Sequence, residues 1–184
     1  MNEIQHIIEI FPDNDPRTNP RWYALYTKPR AEKKVMERLE EKGYTVYLPL
    51  KKEKREWSDR TKVIEVPLLK SYIFVYIPLV DSLPVLQTRG IIGFVKFKKE
   101  YAPIPEYQIE TLKKSLEVTN DLEPVDYLRE GQLVKVIRGP LEGAIGRVKV
   151  IKNRSKLIIS LDALKSSYGI NINPNSVEPV DKKN

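Results

Sequence analysis

Hydrophobic and polar positions alternate with two different spacings in the first part of the chain. Residues 22–27 alternate aromatic and small side chains, a pattern typical of a buried strand. In residues 30–42, Val35, Met36 and Leu39 form an apolar stripe among charged positions, and Gly43 follows as a natural stop. This second segment therefore predicts an amphipathic helix.

Residues 71–77 have the strongest strand pattern in the chain, because both alternating sets of side chains are apolar. Tyr72, Phe74 and Tyr76 share one face, and the intervening Ile and Val side chains share the other. Such a strand lies in a sheet that is covered on both faces, or in one that is covered once and leaves a patch open for a partner.

The neighbouring segments alternate strands with helices. Residues 51–66 are highly charged and contain turn residues, which predicts a long β-hairpin with a basic tip. A helix is predicted for 79–88, a strand for 91–97, and a helix after Pro105. The order β-α-β-β-α-β-α predicts an α+β fold, with helices flanking an antiparallel sheet.

Only short strands separated by glycine turns are predicted after residue 128, which indicates a small β-barrel. These strands are expected at 132–137, 144–151, 157–161, 168–172 and 177–180. The chain then divides into a flexible N-terminal arm (1–20), an N-terminal domain (21–118), an acidic linker (119–127) and a C-terminal domain (128–184).

The formal net charge is +7 over 184 residues, while residues 117–127 carry four acidic side chains and no basic one. Two basic regions joined by an acidic linker indicate a nucleic acid or ribonucleoprotein partner, or simply a solvated basic surface. There is no cysteine and one histidine, His6, so disulfides, thiolate catalysis, a metal centre and a cofactor are not expected. Without a signal pattern or a membrane-length apolar run, the expectation is a cytoplasmic protein with no membrane partner.

The ordered motifs of the chain after residue 20 resemble the NusG family of transcription elongation factors. WYALYTKPRAEKKV, KSYIFVYI and LQTRGIIGFVKF resemble the family's N-terminal domain, and EGQLVKVIRGPLEGAIGRV resembles its KOW domain, an SH3-like barrel. The segments around REWSDRTKVIEVPLLK and LIISLDALKSSYGI are similar to the UpxY-type antiterminators of Bacteroides-like bacteria. Those paralogues act on selected long operons, often capsular polysaccharide loci. Lys70-Ser71 stands where the family usually has proline-glycine.

The resemblance implies an apolar surface that receives the tip of the RNA polymerase clamp helices. Its members are Tyr26, Tyr72, Phe74, Ile92 and Phe94. Considered from the residues alone, ordinary core packing is the more common role for any one of these side chains.

The resemblance also places basic turns at the upstream fork of the transcription bubble, where they contact non-template DNA or nascent RNA. The candidate contacts are Lys28, Arg30, Thr88 and Arg89 in turns, and Lys51, Lys52, Lys54, Arg55, Trp57, Arg60 and Lys62 in the hairpin. Lysine and arginine suit phosphates, and a tryptophan among them can stack on a base. The alternatives are solvated turn charges, and a Trp57 that packs over the sheet edge.

The third candidate surface is the glycine-rich loop of the C-terminal domain. Its residues are Gly139, Pro140, Leu141, Gly143, Ile145 and Gly146, and the glycines are expected to adopt positive φ in a tight hairpin. The family's KOW partners, Rho or the ribosome, are the expected partners here. The function expected is transcription elongation and antitermination by a monomeric, non-enzymatic factor that binds RNA polymerase. The alternative is a ribosome-associated RNA-binding protein.

Overall fold

The computed structural model describes residues 16–56, 60–119, 122–125, 132–151 and 154–180. These residues form three α-helices: α1 (Glu32–Glu41), α2 (Ser82–Leu86) and α3 (Glu106–Val118). The N-terminal strands are β1 (Arg21–Thr27), β2 (Thr45–Tyr47), β3 (Leu50–Glu56), β4 (Thr61–Pro67), β5 (Tyr72–Ile77), β6 (Ile91–Phe94), β7 (Lys96–Phe97), β8 (Glu100–Tyr101) and β9 (Pro103–Ile104). The C-terminal strands are β10 (Glu123–Val125), β11 (Leu133–Val136), β12 (Ile145–Ile151), β13 (Arg154–Leu161), β14 (Ser166–Asn171) and β15 (Val177–Pro179).

The N-terminal sheet has the antiparallel order β2-β5-β1-β6, and β9 also pairs with β1. In the β1–β5 pair, Tyr26 lies opposite Tyr72 and Ala24 lies opposite Phe74. The predicted antiparallel sheet with flanking helices is therefore confirmed. The predicted helix 79–88 instead forms a 3-10 turn at Leu79–Asp81 that is followed by the shorter α2.

Both faces of this sheet are covered, which is one of the two arrangements that the doubly apolar β5 allowed. On one face, Ile73 and Val75 pack in a cluster with Val35 and Leu39 of α1. On the other face, Phe74 packs in a cluster with Trp22, Ile109 and Leu112. The last two belong to α3, and each buried side chain of this size contributes about 1.5–3 kcal/mol to stability.

The C-terminal sheet has the antiparallel order β10-β14-β13-β12-β11-β15. All five predicted strands are present, with ends shifted by a few residues. The expected linker 119–127 contributes a sixth strand, β10, where Glu123 forms an ion pair with the buried Lys156. Within the described residues the edge strands β10 and β15 do not pair with each other, so the expected closed barrel is not confirmed.

Helix α3 lies between the two sheets and contacts both. The Thr111 hydroxyl donates to the Ile145 carbonyl at 3.1 Å and accepts from the Ile145 amide at 2.9 Å. The Gln108 side-chain amide donates to Asp162 Oδ2 at 2.8 Å. Apolar side chains from both sheets and α3 belong to one buried cluster, so the two sheets share part of their core.

The hairpin β3–β4 forms a two-stranded sheet of its own, and Lys33 Nζ of α1 donates to its Glu65 carbonyl at 3.1 Å. Most of the expected N-terminal arm, residues 1–15, lies outside the described residues. The Pro16 and Arg17 carbonyls accept hydrogen bonds from Leu79 and Val80. No helix in the described part of the chain is long and apolar enough to cross a membrane.

Candidate functional site

Three turns that are far apart in sequence meet at one end of the N-terminal sheet. The amide of Thr27 donates to the Ser71 carbonyl at 2.8 Å, and the amide of Lys28 donates to the Gly90 carbonyl at 2.8 Å. The turn after β1, the Lys70-Ser71 turn before β5 and the turn before β6 therefore form one continuous backbone surface. We call it the joined turns, with residues 27–31, 70–71 and 88–90.

The backbone of the joined turns is held in unusual conformations. Arg30, Ser71 and Gly90 have φ values of 63°, 64° and 106°, which only glycine adopts readily. The buried Glu32 carboxylate accepts a hydrogen bond of 2.7 Å from the Ser71 amide. Such a bond to a charged acceptor contributes about 1.5–3 kcal/mol, enough to offset the cost of one left-handed residue.

Four cations project from the joined turns into solvent: Lys28, Arg30, Lys70 and Arg89. No ion pair involves any of them within the described residues. Unpaired, exposed cations at one site are suited to bind phosphate. The sequence had indicated three of the four. Lys70 was missed, although its position directly before β5 was a usable signal.

Thr88, which was predicted as a nucleic-acid contact, does not belong to this exposed surface. Its side chain is buried, and its hydroxyl accepts a hydrogen bond of 2.7 Å from Lys42 Nζ. Arg38 of α1 also donates to the Arg89 carbonyl at 2.7 Å. Thr88, Arg38 and Lys42 thus position the turn that presents Arg89.

The hairpin β3–β4 carries the remaining predicted cations, but they do not all share one face. Lys52 and Lys54 lie on one face, opposite Glu65 and Val63 in register. Lys51 and Arg55 lie on the other face, as does Lys62, which is paired with Arg55. Arg60 is exposed near the tip, while Trp57 lies outside the described residues.

Tyr26 and Tyr72 form an aromatic pair beside the joined turns. Their ring centroids are 5.4 Å apart, and Tyr26 remains 41% exposed. Ile92 is 55% exposed and lies at a bulge next to Gly93, the register partner of Tyr26. These three of the five predicted apolar side chains are the ones that remain partly accessible.

Phe74 and Phe94 are core residues on opposite faces of the sheet. Phe74 is fully buried beneath α3 and the C-terminal sheet. Phe94 lies opposite Leu25 in register, so it points to the other face and packs against Tyr23 and Tyr101. Phe94 therefore does not share a face with Tyr72 and Phe74.

The glycine-rich loop joins β11 to β12 and lies next to α3. Gly139 and Gly143 have the predicted positive φ, at 95° and 86°. Gly146 does not have a positive φ, because it lies within strand β12. A Cβ added at Gly146 would be 2.6 Å from the Ile158 carbonyl oxygen. Pro140 is exposed at the loop tip, whereas Leu141 is buried and Ile145 is bonded to Thr111.

Comparison with known proteins identifies the family. The family model described as transcription termination factor nusG matches residues 20–113, just over half of the chain. The chain belongs to the NusG family. The NusG termination/antitermination proteins of Streptococcus pyogenes serotypes M3 and M1 are each 28% identical over 155 residues, covering 76% of this chain and 86% of theirs.

Two solved structures are also similar to this NusG-family chain. One concerns domain interaction in Thermotoga maritima NusG, with 19% identity and a TM-score of 0.49, covering 89% of this chain and 98% of the other. The other is the MjSpt4:Spt5 complex in conformation A, with 19% identity and a TM-score of 0.30, covering 88% of this chain and 99% of the other.

The segment matched by the NusG family model contains the joined turns, the hairpin and the Tyr26–Tyr72 pair. This chain is thus a NusG-like transcription termination/antitermination factor, and such factors are not enzymes. The C-terminal sheet lies beyond the matched segment.

Proposed function

We propose that this protein is a specialised antitermination factor that binds RNA polymerase and suppresses pausing or termination on selected long operons, such as polysaccharide loci. One observation carries the proposal: the Lys28–Gly90 hydrogen bond joins two basic turns beside an accessible aromatic pair. A single surface thereby offers apolar contact to a protein and cations to a nucleic acid. The resemblance to UpxY-type factors supports the specialised role.

The polymerase contact in this proposal is apolar. Tyr26, Tyr72 and Ile92 present accessible hydrophobic surface, and the tip of a helical hairpin such as the clamp helices suits a shallow apolar site of this kind. Phe74 acts beneath them as the packed floor that holds β5 in register.

The nucleic-acid contact is electrostatic. Lys28, Arg30, Lys70 and Arg89 bind phosphates of the non-template strand or the nascent transcript at the edge of the bubble. The exposed cations of the hairpin provide a second contact. Binding through both surfaces bridges polymerase and nucleic acid without covalent chemistry.

The C-terminal region, residues 128–184, is proposed to act as a KOW domain. The glycine-rich loop supports this assignment because two of its glycines adopt the positive φ that a tight hairpin needs. Rho or the ribosome is its proposed partner. Leu141 is buried and Ile145 is hydrogen-bonded to Thr111 of α3, so we expect a partner to contact the exposed loop residues Gly139, Pro140 and Gly143.

Charge reversal in a reconstituted elongation complex tests the proposal. The variant Lys28→Glu/Arg89→Glu is compared with Lys135→Glu/Lys149→Glu, which reverses two exposed cations of the C-terminal sheet. We expect the first variant to lose nucleic-acid crosslinks and read-through, and to lower the salt slope of binding by about 0.7–0.9 per lost phosphate contact. Binding to core polymerase without nucleic acid is expected to persist.

Equal crosslinking and read-through by the two double variants would contradict the nucleic-acid assignment. Co-purification addresses the polymerase assignment separately. Recovery of ribosomal subunits instead of polymerase would favour the ribosome-associated alternative.

A further inference from the structure

A groove on the C-terminal sheet has the chemistry of a second nucleic-acid site. It lies between the β11–β12 loop and the segment 171–176, and it encloses a cavity of about 400 Å³. Val136, Leu141 and Ile172 provide apolar surface inside it. A second cavity of about 470 Å³ continues past Asn171 towards Arg154.

Three asparagines follow one another along the rim of this groove. The Asn173 side chain is used internally, because its Oδ1 accepts from the Asn175 amide at 3.0 Å. The side-chain amides of Asn171 and Asn175 are exposed and have no hydrogen-bond partner within the described residues. A carboxamide offers a donor and an acceptor side by side, which matches the edge of a nucleobase.

An arginine stands at each end of the groove. Arg138 Nη2 donates to the Asn175 carbonyl at 3.1 Å, which holds its guanidinium at the rim. Arg154 lines the far cavity and is exposed. Among the residues that the structure describes, no carboxylate lines either cavity. Two guanidiniums without a neighbouring acid favour an anionic ligand, and arginine binds phosphate through paired hydrogen bonds.

We propose that this groove binds a short single-stranded nucleic acid. Phosphates contact Arg138 and Arg154, a base edge bonds to Asn171 or Asn175, and a base face rests on the apolar floor. Single strands suit such a site because their bases are unstacked and expose both faces and edges. This site is separate from the joined turns and does not depend on binding to polymerase.

The test uses the full chain and labelled oligonucleotides of about 12 nucleotides, as RNA and as DNA of the same sequence. Affinity is measured between about 50 and 200 mM salt. Arg138→Ala/Arg154→Ala is compared with Lys135→Ala/Lys149→Ala, which removes equal charge outside the groove. We expect the arginine variant to bind more weakly than this control, with a salt slope reduced by about 1.4 for two lost phosphate contacts. Tighter binding of RNA than DNA would assign the groove to a transcript, and the reverse to a displaced DNA strand.

A single variant and a crosslinking experiment keep the test informative if Arg138→Ala/Arg154→Ala has a folding defect. Arg154→Ala alone removes a side chain without a partner within the described residues, and we expect about half of the change in salt slope. Ultraviolet crosslinking of the unaltered protein is expected to label peptides containing residues 171–176. Equal affinities of the arginine and lysine variants, or crosslinks confined to the joined turns, would overturn the proposal. Loss of crosslinks at the joined turns alone would count against the proposed function and not against this groove.

Discussion

The amide of Lys28 donates a hydrogen bond to the carbonyl oxygen of Gly90 at 2.8 Å. This bond joins the turn after β1 to the turn before β6, so the cations of both turns are held on one backbone surface. Fixing the backbone before binding lowers the entropy that binding a phosphate chain would otherwise cost. The geometry of the joined turns is therefore part of the proposed function.

Replacement of Gly90 by alanine should damage this geometry. Gly90 has a φ of 106°, and an added Cβ would lie 2.8 Å from Val35 Cγ2. We expect a loss of about 1–3 kcal/mol in the free energy of unfolding. Gly93→Ala is a matched control in the adjacent strand, because its Cβ would meet nothing within 4 Å. Equal urea midpoints for the two variants would show that Gly90 is not required for the joined turns.

Substitution of the exposed apolar side chains Tyr26 and Ile92 should weaken polymerase binding without affecting the fold. We expect Tyr26→Ser/Ile92→Ser to retain its melting temperature within a few degrees and to bind polymerase about tenfold more weakly or worse. Val150→Ser is the control, since the Val150 side chain is more exposed than Tyr26 or Ile92 but lies on the C-terminal sheet. Unchanged polymerase affinity in a folded Tyr26/Ile92 variant would remove these residues from the site.

Phe74→Ser, in contrast, should act on stability. Phe74 of β5 is fully buried in the cluster that contains Ile109 and Leu112 of α3, so its truncation leaves a cavity and buries a hydroxyl. We expect a loss of about 3–5 kcal/mol, measured by denaturant unfolding. A loss below about 1 kcal/mol would mean that the sheet face is less tightly covered than the structure indicates.

The shared core should couple the unfolding of the two sheets. Leu112 of α3 is fully buried in the cluster that both sheets contribute to, and Leu112→Ala is expected to cost about 2–5 kcal/mol. Hydrogen exchange should then rise in β12 and β13 as well as in β1. Exchange that rises in β1 alone would show that the C-terminal sheet is independently stable. Residues 128–184 expressed alone lack β10 and α3, so we expect them to form strands that are less stable than in the full chain.

Alkaline pH should destabilise the fold through the partly buried Tyr47. Burial raises the pKa of the Tyr47 hydroxyl, and the nearby Glu117 and Glu110 carboxylates raise it further. The unfolded chain therefore loses this proton first, so the stabilising contribution is complete below about pH 10 and falls above it. We expect the fall to reach about 1.4 kcal/mol per pH unit for this group, and Tyr47→Phe to remove that part. Identical pH profiles for Tyr47→Phe and the unaltered protein above pH 10 would refute this assignment.

Local patterns in the sequence predicted most of the elements of the fold. The apolar stripe of α1 and the two apolar sets of β5 appear where expected, because periodicity depends on neighbours along the chain. The basic turns at Lys28 and Arg89 were also identifiable as candidates, since cations in turns stand out locally.

Long-range packing decided the features that the sequence did not predict. Phe94 lies on the opposite face of the sheet from Phe74, because the strand register places it opposite Leu25. No local pattern in the sequence specifies this register. Thr88 is buried, and its hydroxyl accepts a hydrogen bond from Lys42 at the end of α1, 46 residues away in sequence. Strand β10 forms in a segment whose acidic composition indicated a linker, because its backbone pairs with β14.

The most direct test of the central claim is a photocrosslink from position 89 in a reconstituted elongation complex. A photoreactive phenylalanine analogue replaces Arg89 in one protein and Glu40, on the exposed side of α1, in a control. The proposed function predicts that position 89 crosslinks to non-template DNA or to the transcript, and that position 40 does not. Crosslinks from position 89 to polymerase subunits alone would contradict it.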